Sequence, residues 1–187
     1  MRIGAVLLAS GAARRFGSNK LLQEVDGAAM IQRAMWAVPA CLFDKAVVVS
    51  AYPEILSLAE ENGYLSLPNP YSAEGQSASI RLGLSALQDM NAVLFAVCDQ
   101  PWLKRESVVR LLEDHSENPN CICSLGWQGR RGNPVIFPKA FFPELLKLSG
   151  DQRGSALIHD HEDLLRISDV TSPLELRDVD TPDSLGQ

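Results

Sequence analysis

The chain has 187 residues, 46% hydrophobic and 21% charged, which fits a single globular domain spanning residues 1–187. Seventeen basic residues against 23 acidic ones give a formal net charge of -6, which argues against broad electrostatic binding to nucleic acid or to an anionic membrane. The four cysteines (Cys41, Cys98, Cys121, Cys123) lack paired CxxC spacing, and the opening apolar run, 3–9, is too short for a signal-peptide core or a membrane span; a cytoplasmic protein with reduced thiols is expected.

In chain order, short apolar runs rich in β-branched residues predict strands at 3–9, 45–50, 64–67, 92–97, 121–125 and 134–137. Between them, apolar residues recur at helical spacing: Met30, Ile31, Ala34, Met35 and Val38, then Ile55, Leu58 and Ala59, then Ile80, Leu84 and Leu87, then Val108, Leu111 and Leu112. This alternation predicts an α/β fold, a mostly parallel central sheet with helices on both faces. Beyond about residue 126 the pattern is less regular: a Gly-Arg-Arg-Gly loop, a helix carrying Phe141, Leu145 and Leu146, a polar stretch and a final short strand, expected as a substrate-side extension of the same sheet.

The first strand runs into Leu8-Ala9-Ser10-Gly11-Ala12-Ala13-Arg14-Arg15-Phe16-Gly17-Ser18-Asn19-Lys20. Ligands of open parallel sheets bind at the carboxyl ends of strands, and small residues there let backbone N–H groups approach phosphate. Arg14, Arg15 and Lys20 can offset the charge of a triphosphate. The loop is not a Walker A motif, because five residues separate Gly11 from Gly17 and Lys20 follows three later; nor is it a dinucleotide fingerprint. By spacing alone, an ordinary βα turn with solvated arginines explains it as well.

Asp99 ends the 92–97 strand in Asp99-Gln100-Pro101, on the same predicted rim. Mg²⁺ favours one or two carboxylates completed by phosphate oxygens and water, although Asp also ends strands as a plain turn former. The C-terminal Asp178-Val179-Asp180-Thr181-Pro182-Asp183 reads as a helix start, with Thr181 as N-cap and Pro182 at the first helical position. Gly75-Gln76-Ser77-Ala78-Ser79 opens a helix with small polar residues able to bond a base or ribose; Ser79 in place of a final glycine, and no strand entering Gly75, count against a serine-hydrolase elbow. His159 and His161 stand two apart, so a helix sends them to opposite sides; they are expected to be solvated and to share no metal.

Together these segments resemble the molybdenum-cofactor (molybdopterin) nucleotidyltransferase family of NTP transferases. Leu8, Ala9, Gly11, Arg15, Phe16, Gly17 and Lys20 match its first loop, with Ser10 and Ala13 as departures. Asp99-Gln100-Pro101 is similar to its Gly-Asp-Gln-Pro, with Cys98 in place of the glycine, and Asp178-Val179-Asp180-Thr181-Pro182 to its Asp-Val-Asp-Thr-Pro. Asn69-Pro70 with Gly75 to Gly83, and Gly129-Arg130-Arg131-Gly132-Asn133-Pro134, match two further motifs, while 149–155 is similar to Gly-Asp-x-Gly-Ala-Arg with its second glycine displaced by one residue.

The resemblance implies a Rossmann-like three-layer sandwich of nucleotide-diphospho-sugar transferase type. It also implies transfer of CMP from CTP to the terminal phosphate of molybdopterin cofactor, with Mg²⁺ and release of pyrophosphate. By the same resemblance Leu8, Ala9, Ser10, Gly11, Arg15, Lys20, Gly75, Ser77 and Ser79 contact the nucleotide, Lys20, Arg15 and Asp99 are catalytic, and Asp99 with Asp180 hold the metal, Asp178 being the reserve. Arg130, Arg131 and Asn133 face the second substrate. Ser10 and Cys98 leave GTP, or a sugar or polyol phosphate acceptor, open. A non-catalytic chaperone delivering the cofactor to a recipient molybdoenzyme is the reading from another class; Lys20, Asp99 and Asp180 argue against it.

Overall fold

The structure is a computed structural model and describes residues 1–11, 19–150 and 152–179. In chain order it contains β1 (Ile3–Leu8), β2 (Glu24–Val25), β3 (Ala28–Ala29), α1 (Met30–Ala37), β4 (Lys45–Ser50), α2 (Pro53–Glu61), β5 (Leu65–Pro68) and α3 (Gln76–Ser85). There follow β6 (Ala92–Val97), α4 (Arg105–Glu117), β7 (Ile122–Trp127), β8 (Arg130–Pro138), α5 (Phe142–Leu145), α6 (Gly154–Asp160) and β9 (Leu165–Asp169). Seven strands form one sheet in the order β5-β4-β1-β6-β8-β7-β9, in which β8 alone runs antiparallel to its neighbours; β2 and β3 make a separate two-stranded ribbon.

Continuous apolar runs become interior strands because both faces of the sheet are covered. On one face Ala5, Leu7, Val48, Leu94 and Ala96 pack against Ile31, Ala34 and Met35 of α1, Ile55 and Ala59 of α2, and Val108 and Leu111 of α4. On the other, Val6, Val47, Val49, Val93 and Phe95 meet Ile80 and Leu84 of α3, Leu145 of α5 and Ile158 of α6. Alternate residues of β1 thus feed opposite layers, giving the three-layer α/β sandwich. α3 lies close over β1: a Cβ on Gly83 would sit 2.5 Å from a Val6 methyl.

The expected Gly-Arg-Arg-Gly loop is instead a hairpin. Gln128 (φ 50°) and Gly129 (φ 78°) form a two-residue turn with both residues left-handed, and β8 begins at once at Arg130. The helix expected around Phe141 to Leu146 is only four residues long, Phe142–Leu145. α6, and the β2–β3 ribbon, are too short to show a period in the sequence.

Candidate active site

The strand order reverses beside β1: β4 and β5 follow on one side, whereas β6 lies on the other. Such a switch point opens a crevice beyond the carboxyl ends of the two central strands. Leu8 and Val97 face each other in register at those ends, so the chain continues into Ser10 and Gly11 on one side and into Cys98 and Asp99 on the other. A cleft of about 510 Å³ lies there, bordered by Leu8, Ser10, Gly11, Lys20, Gly75, Ser79, Asp99, Asn133, Arg153 and Asp178, among others. A second cavity of about 240 Å³ shares Leu8, Gln76, Val97, Asn133 and Arg153 with it. That cavity is walled by Ile80, Phe95, Val135, Phe137, Leu145 and Ile158, with the exposed Arg131 also lining it.

Hydrogen bonds fix the rim. Ser10 Oγ donates to the Val49 carbonyl (3.0 Å), and Ser50 Oγ donates to the Ala9 carbonyl (3.0 Å), tying the exit of β1 to that of β4. Asn69 is 2% exposed; its Nδ2 donates to Ser79 Oγ (3.0 Å), which orients that hydroxyl. Gly75 caps α3 with φ 97°, a left-handed conformation that turns the chain from the 72–74 turn into the helix.

Lys20 Nζ donates to Asp99 Oδ2 (2.8 Å) and to the carbonyl of Val179 (3.2 Å). Val179, fully buried, donates its amide to the Asp99 carbonyl (2.9 Å), and Gln100 Nε2 reaches Asp178 Oδ1 (2.9 Å) and the Leu176 carbonyl (3.1 Å). The segment approaching the C-terminus is therefore stitched onto the exit of β6. Further back, buried Glu175 accepts bonds from Ser107 Oγ (2.6 Å), from the amide and hydroxyl of Thr171, and from the Lys104 amide at the start of α4. Burial alone raises its pKa, but these bonds outweigh that and leave it below the usual carboxylate range.

The donor set fits a hard divalent cation. Asp99 and Asp178 bring carboxylates to the cleft, and the described residues contain no gathering of three or more His, Cys, Asp or Glu groups. Burial, reinforced by the Asp99 charge, pushes the pKa of the neighbouring Cys98 thiol well up. One or two carboxylates at such a cleft suit a hard divalent cation.

Of the residues singled out in the sequence, Leu8, Ser10, Gly11, Lys20, Gly75, Ser79, Asp99 and Asn133 border the cleft, and Arg131 borders the second cavity. Ala9 and Ser77 are fully buried and border neither. Arg130 borders neither cavity; together with Arg131 it lines a separate concavity beside Glu162, Leu165 and Ile167. Arg15, Asp180 and the helix start at Thr181 lie outside the described residues. His159 is exposed beside Glu162; His161, expected to be solvated, is half-buried, since α6 ends at Asp160 and its ring turns onto Phe141 (centroids 5.1 Å apart) with Nε2 3.2 Å from Glu144. Gln76 and Arg153 border both cavities. Only the arginine's place in the 149–155 segment hinted at its position.

Residues 5–164 match the MobA-like NTP transferase domain. The chain belongs to that family. This MobA-like chain is 27% identical over 195 residues to nicotine blue oxidoreductase of Paenarthrobacter nicotinovorans, covering 98% of this chain and 94% of that protein. It is 27% identical over 135 residues to a probable molybdenum cofactor guanylyltransferase of Pyrococcus horikoshii, covering 72% and 68% respectively. Among solved structures, Rv0371c of Mycobacterium tuberculosis shares the fold at TM-score 0.80 and 21% identity, over 98% of this chain and 95% of that one; another structure of that protein is a complex with manganese. The MobA-like chain thus has a nucleotidyltransferase-family domain on the nucleotide-diphospho-sugar transferase fold. None of its described helices is long and apolar enough to cross a membrane.

Proposed function

We propose that this protein, as one cytoplasmic domain over 1–187, transfers CMP from CTP to the terminal phosphate of molybdopterin cofactor and releases pyrophosphate. The observation that carries the reading is the junction of two cavities at the switch point. One is bordered by Gly11, Lys20 and Asp99; the other has an apolar wall of Ile80, Phe95, Val135, Phe137, Leu145 and Ile158 and carries the polar groups of Gln76, Asn133, Arg131 and Arg153. A triphosphate suits the first, and a ring system bearing a phosphate suits the second.

An oxygen of the acceptor phosphate attacks the α-phosphorus as the bond from that phosphorus to the pyrophosphate oxygen breaks, and the electron pair leaves with pyrophosphate. A phosphate oxygen is already anionic at neutral pH and needs no strong base, so catalysis rests on alignment and on offsetting charge. Lys20 and Arg15 counter the triphosphate and the departing pyrophosphate; Ser10, Gly11, Gly75 and Ser79 hold the nucleotide. Asp99, with Asp180 or in reserve Asp178, holds Mg²⁺, which when bound offsets phosphate charge and polarises the α-phosphate. Asn133 and Arg131 face the acceptor.

CTP is preferred because the Asp99-Gln100-Pro101, Gly132-Asn133-Pro134 and Asp178 to Pro182 segments resemble cytidylyl-type sequences. The test is incubation of purified protein with molybdopterin cofactor, Mg²⁺ and each nucleoside triphosphate in turn, with pyrophosphate measured. Release with CTP supports the proposal, turnover with GTP alone overturns the base assignment, and cofactor binding without release favours a chaperone serving a molybdoenzyme. The relative named as an oxidoreductase matches almost the whole chain, so a parallel arm follows NADH or NADPH consumption with a redox dye; turnover there without pyrophosphate release overturns the transferase reading.

A further inference from the structure

Arg81 is half-buried on α3, and its polar contacts go to protein groups behind the cleft wall. Its Nη1 donates to Ser77 Oγ (3.1 Å) and to the Leu148 carbonyl, and its Nη2 donates to Glu74 Oε2 (3.3 Å). Ser77, fully buried, donates its own hydroxyl proton to the Gly150 carbonyl (2.7 Å). One turn of α3 thus grips the backbone at residues 148 and 150. Beyond the grip, Gln152 closes a short turn: its Oε1 accepts from the Ser149 amide (2.8 Å), and its own amide donates to the Ser149 carbonyl (3.2 Å). The next residue is Arg153, which borders both cavities. Among the described residues the Arg153 side chain has no hydrogen bond or ion pair, so its place is set by the backbone that carries it.

We propose that Arg81 is a positioning residue: through Ser77 and the carbonyls of Leu148 and Gly150 it holds Arg153 at the boundary of the two cavities, where Arg153 receives an anionic phosphorus group. A guanidinium suits this role because its planar fork spans two acceptors at once, which a lysine ammonium does less well. The clasp also gives Ser77 a function: it links α3, whose first turn borders the nucleotide cleft, to the segment facing the second cavity. That the anion is a reacting phosphate rests on the transferase reading; the placement of Arg153 does not.

The test is calorimetric titration of the full chain with inorganic pyrophosphate, comparing wild type, Arg81→Met, Arg153→Ala and the double variant, with thermal melts alongside. Arg81→Met and Arg153→Ala are each expected to weaken pyrophosphate binding about fivefold or more, with the double variant within about twofold of Arg153→Ala, because residues acting through one another are not additive. Arg81→Lys and Ser77→Ala are expected to fall between wild type and Arg81→Met, and they carry the test if Arg81→Met does not fold. Wild-type affinity in Arg81→Met, or in both milder variants if these must serve, overturns the proposal; so do losses that multiply in the double variant, the mark of a merely structural role. If the pattern holds while the wild type releases no pyrophosphate from any triphosphate, the transferase reading falls and the positioning role stands.

Discussion

The ammonium of Lys20 lies 2.8 Å from a carboxylate oxygen of Asp99, although 79 residues separate them, and both side chains are largely shielded from solvent. The pair bridges the exits of β1 and β6, and the second bond from Lys20 to the Val179 carbonyl adds the C-terminal segment. One cation therefore organises three stretches of chain around the cleft.

Removing either partner disrupts the ion pair at the site where phosphate is proposed to bind. Lys20→Met and Asp99→Asn are each expected to lower turnover about 10²–10³-fold, the usual cost of losing a charge-stabilising group in a reaction site. Pyrophosphate release at saturating nucleotide is the measurement, with circular dichroism to verify folding. Near-wild-type turnover in either variant removes that residue from the mechanism.

Gly83 and Gly11 separate packing from ligand approach. A methyl on Gly83 meets Val6 and Val49 side chains at 2.5 to 3.3 Å, so Gly83→Ala is expected to cost about 1–3 kcal/mol, as overpacked cores do. Among the described residues no atom lies within 4 Å of a Cβ built on Gly11, so Gly11→Ala should change stability by less than about 0.5 kcal/mol. It should nevertheless weaken nucleotide binding if phosphate lies against that backbone. Denaturant melts and CTP titration of both variants decide the matter, and equal destabilisation refutes the distinction.

Glu175 predicts a pH dependence of stability. Its folded pKa lies below its unfolded value, so the native state binds fewer protons in that range and stability rises with pH. The contribution is fully present above the ordinary carboxylate value of about 4.3 and is lost as pH falls through the lower folded value. Glu175→Gln should be about 1.5–3 kcal/mol less stable at neutral pH, the range for hydrogen bonds to a charged group, and the gap should shrink on acidification. A gap constant from neutral pH to below pH 4 would contradict this account.

The cysteines should differ sharply in reactivity. Cys41 is exposed, Cys98 and Cys123 are buried, and burial pushes the Cys123 pKa up to about 12. Brief iodoacetamide treatment of native protein should label Cys41 before Cys98 or Cys123, and full labelling should require unfolding. Mass spectrometry of the peptides reads this directly; early labelling of Cys98 is the contrary result.

The central architecture was legible in the sequence because its strands are uninterrupted apolar runs: 45–50 and 92–97 coincide with β4 and β6. The place of Ser10, Gly11 and Asp99 at the cleft was legible because they follow β1 and β6 closely. What the sequence hid depends on direction or distance. The arginines at 130 and 131 read as one basic loop, but a two-residue turn makes them neighbours on a strand: both line the concavity beside Glu162, and of the two Arg131 alone borders the second cavity as well. Ser77 and Ser79 look alike in a polar run, yet the helix sends Ser77 toward Gly150 and leaves Ser79 bordering the cleft beside Asn69. Arg153 gains meaning only when α6 packs beneath the sheet.

The reversed direction of β8 has a further consequence. A strand running against its neighbours brings its beginning, rather than its end, to the rim where the others finish. Residues 131–133 of that strand border the second cavity together, Gly132 also abutting Leu176; beyond them Val135 and Phe137 face the cavity, whereas Ile136 packs in the opposite layer. From Asn133 onward, that wall of the cavity is thus spelled in alternate letters of a single strand. Odd-numbered substitutions there should retune which molecule is admitted, and even-numbered ones should register first as altered packing.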